Sequence, residues 1–370
     1  MHTSMEATFV SVVGARPNFM KLAPVARALA ARSRARHIVV HTGQHSDPSM
    51  SAVFFKDLGL APPHHSLDVG SGSHAQQTAT VMYRLEPLLQ AIRPTWTLVY
   101  GDVNSTVAAS LTAVKLGIRV AHIEAGLRSR DRSMPEEINR IITDHTADLL
   151  LAPSSDAVDN LKAEGVPESR IRLIGNVMID SLCDALPKAR ATDTPRALGL
   201  NNGDYAVVTL HRPSNVDDPT RLQALMAALT DVSRSLPTVF PVHPRTRAHL
   251  RRSTPSAAQT LRLVEPLGYL RMLSLIANAR IVITDSGGVQ EETSYLGVPC
   301  LTVRESTERP ITCTLGTNIL APDPAVLAAR VGECLAMPRK PPPTIPFWDG
   351  HAGERIVDEL MSAASSRAPI

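Results

Sequence analysis

Short apolar runs rich in β-branched residues alternate along this chain with stretches whose apolar positions recur every three or four residues. The runs at 9–13, 38–41, 98–100, 120–123, 149–151 and 171–174 form one series, and those at 206–210, 239–242, 261–264, 281–283 and 300–303 form a second. Strands that alternate with helices predict a parallel sheet covered on both faces, and two series predict two such sheets. The expected fold class is therefore α/β, with two doubly wound Rossmann-like domains facing a cleft. Between the series, residues 186–204 are polar and carry Pro187, Pro195, Gly199 and Gly203, which marks a linker. The expected division is an N-terminal domain at 1–185, the linker at 186–204, a C-terminal domain at 205–345 and a terminal segment at 346–370. Pro338 and Pro341-Pro342-Pro343 interrupt the chain before Phe347-Trp348, and a last helix at about 353–362 is expected to pack back across the domains.

Composition narrows the class of partner. A chain of 370 residues suits two domains of ordinary size. Its 38 Lys and Arg against 35 Asp and Glu give a formal charge of +3, too balanced to make nucleic acid or a membrane surface the expected partner. Cys183, Cys300, Cys313 and Cys334 include no close pair with metal-ligand spacing, so reduced thiols in a cytoplasmic protein are expected. The first strand begins almost at the N-terminus without a signal-like segment, and no apolar run approaches the roughly 18 residues that span a membrane.

Ligands of open α/β sheets bind beyond the carboxyl ends of the strands, so the polar residues just after each apolar run carry the candidate chemistry. Thr284-Asp285-Ser286-Gly287-Gly288-Val289-Gln290-Glu291-Glu292 follows the run at 281–283 and opens a predicted helix. Free amides and the positive dipole end attract an anion, two glycines admit a diphosphate to the backbone, and Ser286 adds a hydroxyl. Glu291 and Glu292 follow more than a turn later, placed to accept hydrogen bonds from the hydroxyls of an attached sugar. Taken alone, the segment reads equally well as an ordinary strand-to-helix turn with solvated glutamates.

The other strand ends add charge. The first leads into Gly14, Arg16 and Lys21, two cations at a helix start where they oppose the helix dipole unless an anion lies there. The glycine spacing is not that of a dinucleotide fingerprint. Asp102 follows the run at 98–100 and is open to two readings, an N-cap of the next helix or a reactive carboxylate. Glu124 ends a strand between apolar residues, where burial would raise its pKa into the range useful for proton transfer. Glu136 and Arg140 sit one turn apart at the start of a predicted helix, the spacing of an i,i+4 ion pair. In the second series His211-Arg212 and His243-Pro244-Arg245 form a basic wall, expected to face the acidic one. Carboxylates for proton transfer and cations for a diphosphate leaving group are what elimination of a nucleoside diphosphate from a sugar requires. The carboxylates lack the histidine cluster of a metal site.

Gly14-Ala15-Arg16-Pro17-Asn18, Thr42-Gly43-Gln44-His45, Gly101-Asp102, His122-Ile123-Glu124-Ala125-Gly126-Leu127-Arg128, Pro135-Glu136-Glu137-Ile138-Asn139-Arg140, His211-Arg212, His243-Pro244-Arg245, Asp285-Ser286-Gly287-Gly288 and Thr307-Glu308-Arg309-Pro310, in this order, strongly resemble the non-hydrolysing UDP-N-acetylglucosamine 2-epimerases. The resemblance runs from about residue 8 to 360. It implies a glycosyltransferase-B-like pair of Rossmann-type domains, usually a homodimer, that interconverts UDP-N-acetylglucosamine and UDP-N-acetylmannosamine without NAD or an obligatory metal. It further implies loss of the C2 proton as UDP leaves C1, then re-addition of UDP to the 2-acetamidoglucal with a proton delivered to the other face. By the matched motifs, Asp102, Glu124 and Glu136 are the acid-base carboxylates and His211 assists near the diphosphate. Arg16, Lys21 and Arg140 are active-site cations, Ser286, Gly287 and Gly288 hold phosphate, Glu292 holds the ribose, and Arg309 closes over the nucleotide.

Two departures bear on substrate and regulation. Some members of the resembled family carry a second, allosteric UDP-N-acetylglucosamine site, with a glutamine at the position of Asp47 and an arginine near Gln76. Residues 50–60 and 69–76 are instead similar to relatives that epimerise UDP-2,3-diacetamido-2,3-dideoxyglucuronate, whereas Thr307-Glu308-Arg309-Pro310 and Gly316-Thr317-Asn318 favour the N-acetylglucosamine form. Rival readings are a glycosyltransferase on the same fold, which needs an acceptor channel where this chain places carboxylates, a hydrolysing epimerase that releases free N-acetylmannosamine, and a non-catalytic sugar-nucleotide sensor.

Overall fold

The computed structural model describes residues 7–43, 58–242, 246–247, 249–250, 261–338 and 341–365. The chain divides into unit 1, formed by Met1–Ser181 and Pro346–Ile370, and unit 2, Leu182–Ile345.

Unit 1 is built on strands β1 (Ala7–Val13), β2 (Ala35–His41), β3 (His65–Ser66), β4 (Trp96–Tyr100), β5 (Val120–Ile123), β6 (Leu149–Ala152) and β7 (Ile171–Leu173). They pair in the order β3-β2-β1-β4-β5-β6-β7, all parallel. Helices α1 (Arg16–Ala30), α2 (His74–Ile92), α3 (Asn104–Lys115), α4 (Pro135–Thr146) and α5 (Ser155–Ala163) are the crossovers. Successive residues of β1 point to opposite faces. Phe9 and Val13 pack with Phe19, Leu22 and Leu29 of α1, while Val10 and Val12 pack with Val81, Leu85 and Leu89 of α2. Burying each such side chain stabilises by about 1.5–3 kcal/mol, so these two apolar layers fix the sheet more than helix propensity does.

Unit 2 repeats the design with β8 (Ala206–Thr209), β9 (Thr238–Pro241), β10 (Leu261–Val264), β11 (Ile281–Thr284), β12 (Cys300–Thr302) and β13 (Asn318–Leu320), in the order β10-β9-β8-β11-β12-β13. Its pairings are also parallel. The helices used below are α6 (Val177–Ala191), α7 (Pro219–Ser235), α8 (Tyr269–Ala277) and α9 (Gly287–Leu296). In each unit the strand order reverses beside the first strand, between β1 and β4 and between β8 and β11, and such a switch point is where an open α/β sheet takes its ligand.

The sequence pattern did not anticipate β3 or β13. Both are edge strands of two or three residues, too short to carry a period. Residues 186–204 lie inside unit 2: Leu186 to Ala191 complete α6, Thr194–Ala197 form a short helix, and the chain passes between the units within α6, at Ser181–Leu182. Leu182, Ala185 and Ala189 bury one face of α6 against Leu273, and that apolar stripe outweighs the Pro187 signal.

The helix Ala352–Ser365 packs on α1 of unit 1, where Ile356 and Leu360 join the core. Asp180 fixes its start by accepting hydrogen bonds from the amides of Ala352 (3.1 Å) and Gly353 (2.7 Å). No described helix is long and apolar enough to cross a membrane.

Candidate active site

The switch point of unit 1 gathers the carboxyl ends of β1, β4 and β5. After β1, Asn18 Oδ1 accepts from the amides of Gly14 and Ala15, both at 3.1 Å, and its Nδ2 donates to the Tyr100 carbonyl at the end of β4. A Cβ at Gly14 would stand 2.1 Å from Ser105 Oγ, so only glycine lets the turn close on α3. One helical turn on, Lys21 is buried and its Nζ donates to Glu124 Oε2. Gly101, at φ +63, lies flat against that pair, with a Cβ there only 2.5 Å from Lys21 Nζ.

Glu124 is 5% exposed and takes φ +73, the left-handed region that a non-glycine residue enters at a cost of order 1–3 kcal/mol. Its amide and that of Ala125 both donate to the Leu151 carbonyl of β6. Behind it, His122 is fully buried, with Nε2 2.8 Å from the Gly101 carbonyl and Nδ1 2.6 Å from Asp144 Oδ1. Burial disfavours the Asp144 carboxylate, yet His122 and Arg128 together hold its pKa below the usual carboxylate range.

Asp102, half-buried, and the buried Arg140 form the other contact. Arg140 donates through Nη2 to Asp102 Oδ2 and through Nη1 to Glu137 Oε2, the latter at 2.9 Å. Two sequence readings change here. The N-cap of α3 is Val103, without a side-chain cap, because the Asp102 carboxylate is turned to Arg140 on α4. The partner of Arg140 on its own helix is Glu137 at i,i+3 rather than Glu136 at i,i+4. Glu137 also accepts from the amides of Ser129 and Arg130, both at 2.9 Å, and these bonds with Arg140 overcome burial to keep its carboxyl low. Glu136 is half-buried and its side chain makes no hydrogen bond or ion pair among the described residues.

In unit 2 the turn after β11 is organised by Asp285, which is fully buried. It accepts from the amides of His211 and Arg212, from Asn215 Nδ2 at 3.2 Å, and from His211 Nδ1 at 2.9 Å. Burial opposes the charge, but His211 and these donors hold Asp285 low. His211 is thereby fixed by one nitrogen, with a side chain 57% exposed. Ser286 is the N-cap of α9 and its hydroxyl makes no cap bond, which leaves the first amides of the helix without an internal acceptor. The Arg309 guanidinium lies over this turn: a Cβ at Gly287 would stand 2.5 Å from its Nη1, and its Nε donates to Glu291 Oε1 at 2.6 Å. Glu308, 1% exposed, draws in Arg304 through two bonds of 2.8 and 3.0 Å and Arg212 at 3.1 Å. Desolvation works against its charge, but Arg304, Arg309 and Arg212 hold its carboxyl far below the usual range. Glu292 lies deeper on α9, where desolvation first and the neighbouring Glu291 second push its pKa up to about 7.

The structure thus brings Lys21, Glu124, Asp102 and Arg140 to one switch point and His211, Ser286, Gly287 and Arg309 to the other. The side chain of Arg16 and all of His243, Gln44, His45 and Asp47 lie outside the described residues. Reading from sequence passed over Asp144, Glu137 and Glu308 as site-forming residues. Glu308 left a trace, an acid between Arg304 and Arg309; Asp144 left none, since its partners are 16 to 22 positions away. Among the described residues no His, Cys, Asp and Glu group could hold a metal ion.

Two parallel α/β units of Rossmann-like topology, each with its strand order reversing beside its first strand, place the chain in the glycosyltransferase-B fold class. A family model described as UDP-N-acetylglucosamine 2-epimerase matches residues 27–361, and the chain belongs to that family of isomerases. It is 39% identical over 355 residues to a UDP-N-acetylglucosamine 2-epimerase of Methanocaldococcus jannaschii, covering 94% of this chain and 96% of that one. It is 42% identical over 327 residues to a UDP-2,3-diacetamido-2,3-dideoxy-D-glucuronate 2-epimerase of Pseudomonas aeruginosa, covering 87% and 91%. The crystal structure of the M. jannaschii enzyme in complex with UDP-GlcNAc and UDP superimposes with a TM-score of 0.87 at 38% identity, covering 96% of this chain and 99% of that one.

Proposed function

We propose that this protein interconverts UDP-N-acetylglucosamine and UDP-N-acetylmannosamine by eliminating UDP to a 2-acetamidoglucal and adding it back. The observation that carries the reading is the carboxylate set of unit 1: Glu124 against Lys21, Asp102 against Arg140, and Glu136 without a protein partner among the described residues. A carboxylate takes the C2 proton while the C1–O bond to the β-phosphate breaks, its electrons leaving with UDP and the C2–H pair forming the C1=C2 double bond. Return of UDP to C1 and delivery of a proton to the opposite face of C2 completes the inversion, so the overall reaction needs no oxidant and no water. Lys21 and Arg140 give two of the carboxylates a fixed cationic partner that holds each in place. In unit 2 the free amides after Ser286, with Gly287, Gly288 and Arg309, take the diphosphate, His211 stands beside it, and Glu292 accepts the ribose hydroxyls.

Reaction in D₂O tests this. Deuterium is expected at C2 of both sugar nucleotides, since the proton returned comes from a solvent-exchanging group. Retention of the original hydrogen in both would rule the mechanism out. The identity to the P. aeruginosa enzyme favours a second substrate, UDP-2,3-diacetamido-2,3-dideoxyglucuronate, on the same catalytic groups. The ratio of kcat/KM for the two nucleotides decides between them.

A further inference from the structure

Glu124 reaches Lys21 only because its backbone is held at φ +73, and a conformation of that cost persists only where its surroundings over-determine it. Its amide and that of Ala125 are held by the Leu151 carbonyl, and one buried carboxylate ties the residues on either side of it. Asp144, on the last turn of α4, binds the segment 122–128 at three places: Oδ1 meets His122 Nδ1 at 2.6 Å, and Oδ2 accepts from the Gly126 amide at 3.0 Å and from Arg128 Nη1 at 2.7 Å. Glu124 lies midway between His122 and Gly126, so both of its flanks are tied to the same group. The clamp is itself anchored. His122 must donate from Nε2 to the Gly101 carbonyl, which only accepts, so the ring also fixes the residue before Asp102. Arg128 is locked at its far side by a two-bond contact with Glu164 at 2.8 and 2.7 Å, just beyond α5. Gly126, at φ +85, has no room for a Cβ, which would stand 2.3 Å from the Ala157 carbonyl, so the segment cannot slide toward α5.

We propose that Asp144 is a positioning residue for the reaction: by holding His122, Gly126 and Arg128 around Glu124, it imposes the left-handed backbone that delivers the Glu124 carboxylate to Lys21. Among the described residues the Asp144 carboxylate bonds to His122, Gly126 and Arg128 and not to Glu124 or Lys21, so it acts through the backbone. The assignment rests on the reading of Glu124 as an acid-base group.

The test is Asp144→Asn in the full-length protein, with His122→Gln as the companion variant should the first not fold. Crystal structures are expected to show Glu124 departing from φ near +73 and its carboxylate leaving Lys21. Turnover is expected to fall about 10²-fold, with UDP affinity within twofold of wild type, because a misplaced group costs rate without touching the nucleotide turn of unit 2. The decisive readout is a double-mutant cycle. In a Glu124→Gln background the Asp144 substitution should cause no further loss, since it acts only through the group already removed. An unchanged Glu124 conformation, or losses that multiply in the double variant, would overturn the proposal. A wild-type protein that fails to epimerise either nucleotide would instead overturn the proposed function, and the crystallographic comparison would still judge the role of Asp144.

Discussion

In the proposed function Glu292 trades stability for binding. Its carboxyl is buried on α9 with a pKa pushed up to about 7, mainly by desolvation, against an ordinary value of 4.5. Between those two values the folded protein binds a proton that the unfolded chain does not, so stability falls as pH rises through that window and the penalty is complete above about 7. A Glu292→Gln variant carries no charge at any pH. It is expected to match wild type near pH 4 and to exceed it near pH 8 by as much as ~3 kcal/mol, while losing affinity for UDP because the carboxylate no longer accepts the ribose hydroxyls. Thermal melts across that range, with calorimetry of UDP binding, check both halves; a stability difference that does not grow with pH would show that the buried carboxylate is not the source. Asp102 makes the complementary point about legibility. Its position just before a helix suggested a cap, and a contact from another element, Arg140 on α4, turned it elsewhere.

At the scale of the element, the start of α9 is the feature most readable from sequence, and also the one whose neighbour was hardest to foresee. In the proposed function the glycine at 287 brings a phosphate to the backbone, but the nearest group to a Cβ there is the Arg309 guanidinium, 22 positions away. Gly287→Val is therefore expected to act twice, obstructing the amides and displacing Arg309 from Glu291. UDP affinity should fall at least about tenfold, whereas the fold should survive, because the atom met is the end of a flexible side chain. Unchanged affinity in a folded variant, measured by calorimetry, would remove this turn from the nucleotide site. The start of α2 has a different use: Ser73 and Gln76 close a reciprocal capping box, with the Gln76 amide 3.2 Å from Ser73 Oγ and the Ser73 amide 3.1 Å from Gln76 Oε1.

That commitment of Gln76 bears on the behaviour of the whole molecule. A regulatory sugar nucleotide bound as in the resembled enzymes needs a cation near this position to offset its diphosphate, and here there is a capping glutamine, with Asp47 in place of the matching glutamine. Catalysis is thus expected to run without a second nucleotide. Progress curves starting from pure UDP-N-acetylmannosamine should show no lag; a lag abolished by a trace of UDP-N-acetylglucosamine would demonstrate a regulatory site assembled from other residues.

The alternation of apolar runs and helical periods determined two parallel sheets, because a strand buried on both faces must be apolar throughout and each crossover must carry its own apolar stripe. It also pointed to the carboxyl ends of the strands, and Glu124, Lys21, Asp102, Ser286 and Gly287 lie there or within the helical turn that follows. The partners were decided only in three dimensions. Lys21 and Glu124 are 103 positions apart, Asp102 and Arg140 are 38, and Arg212 and Glu308 are 96. Local sequence fixes the direction of a chain through its turns and periods. Which charge answers which, and how far each carboxyl is driven from its ordinary pKa, depends on burial and on side chains that only the assembled sheets bring within reach.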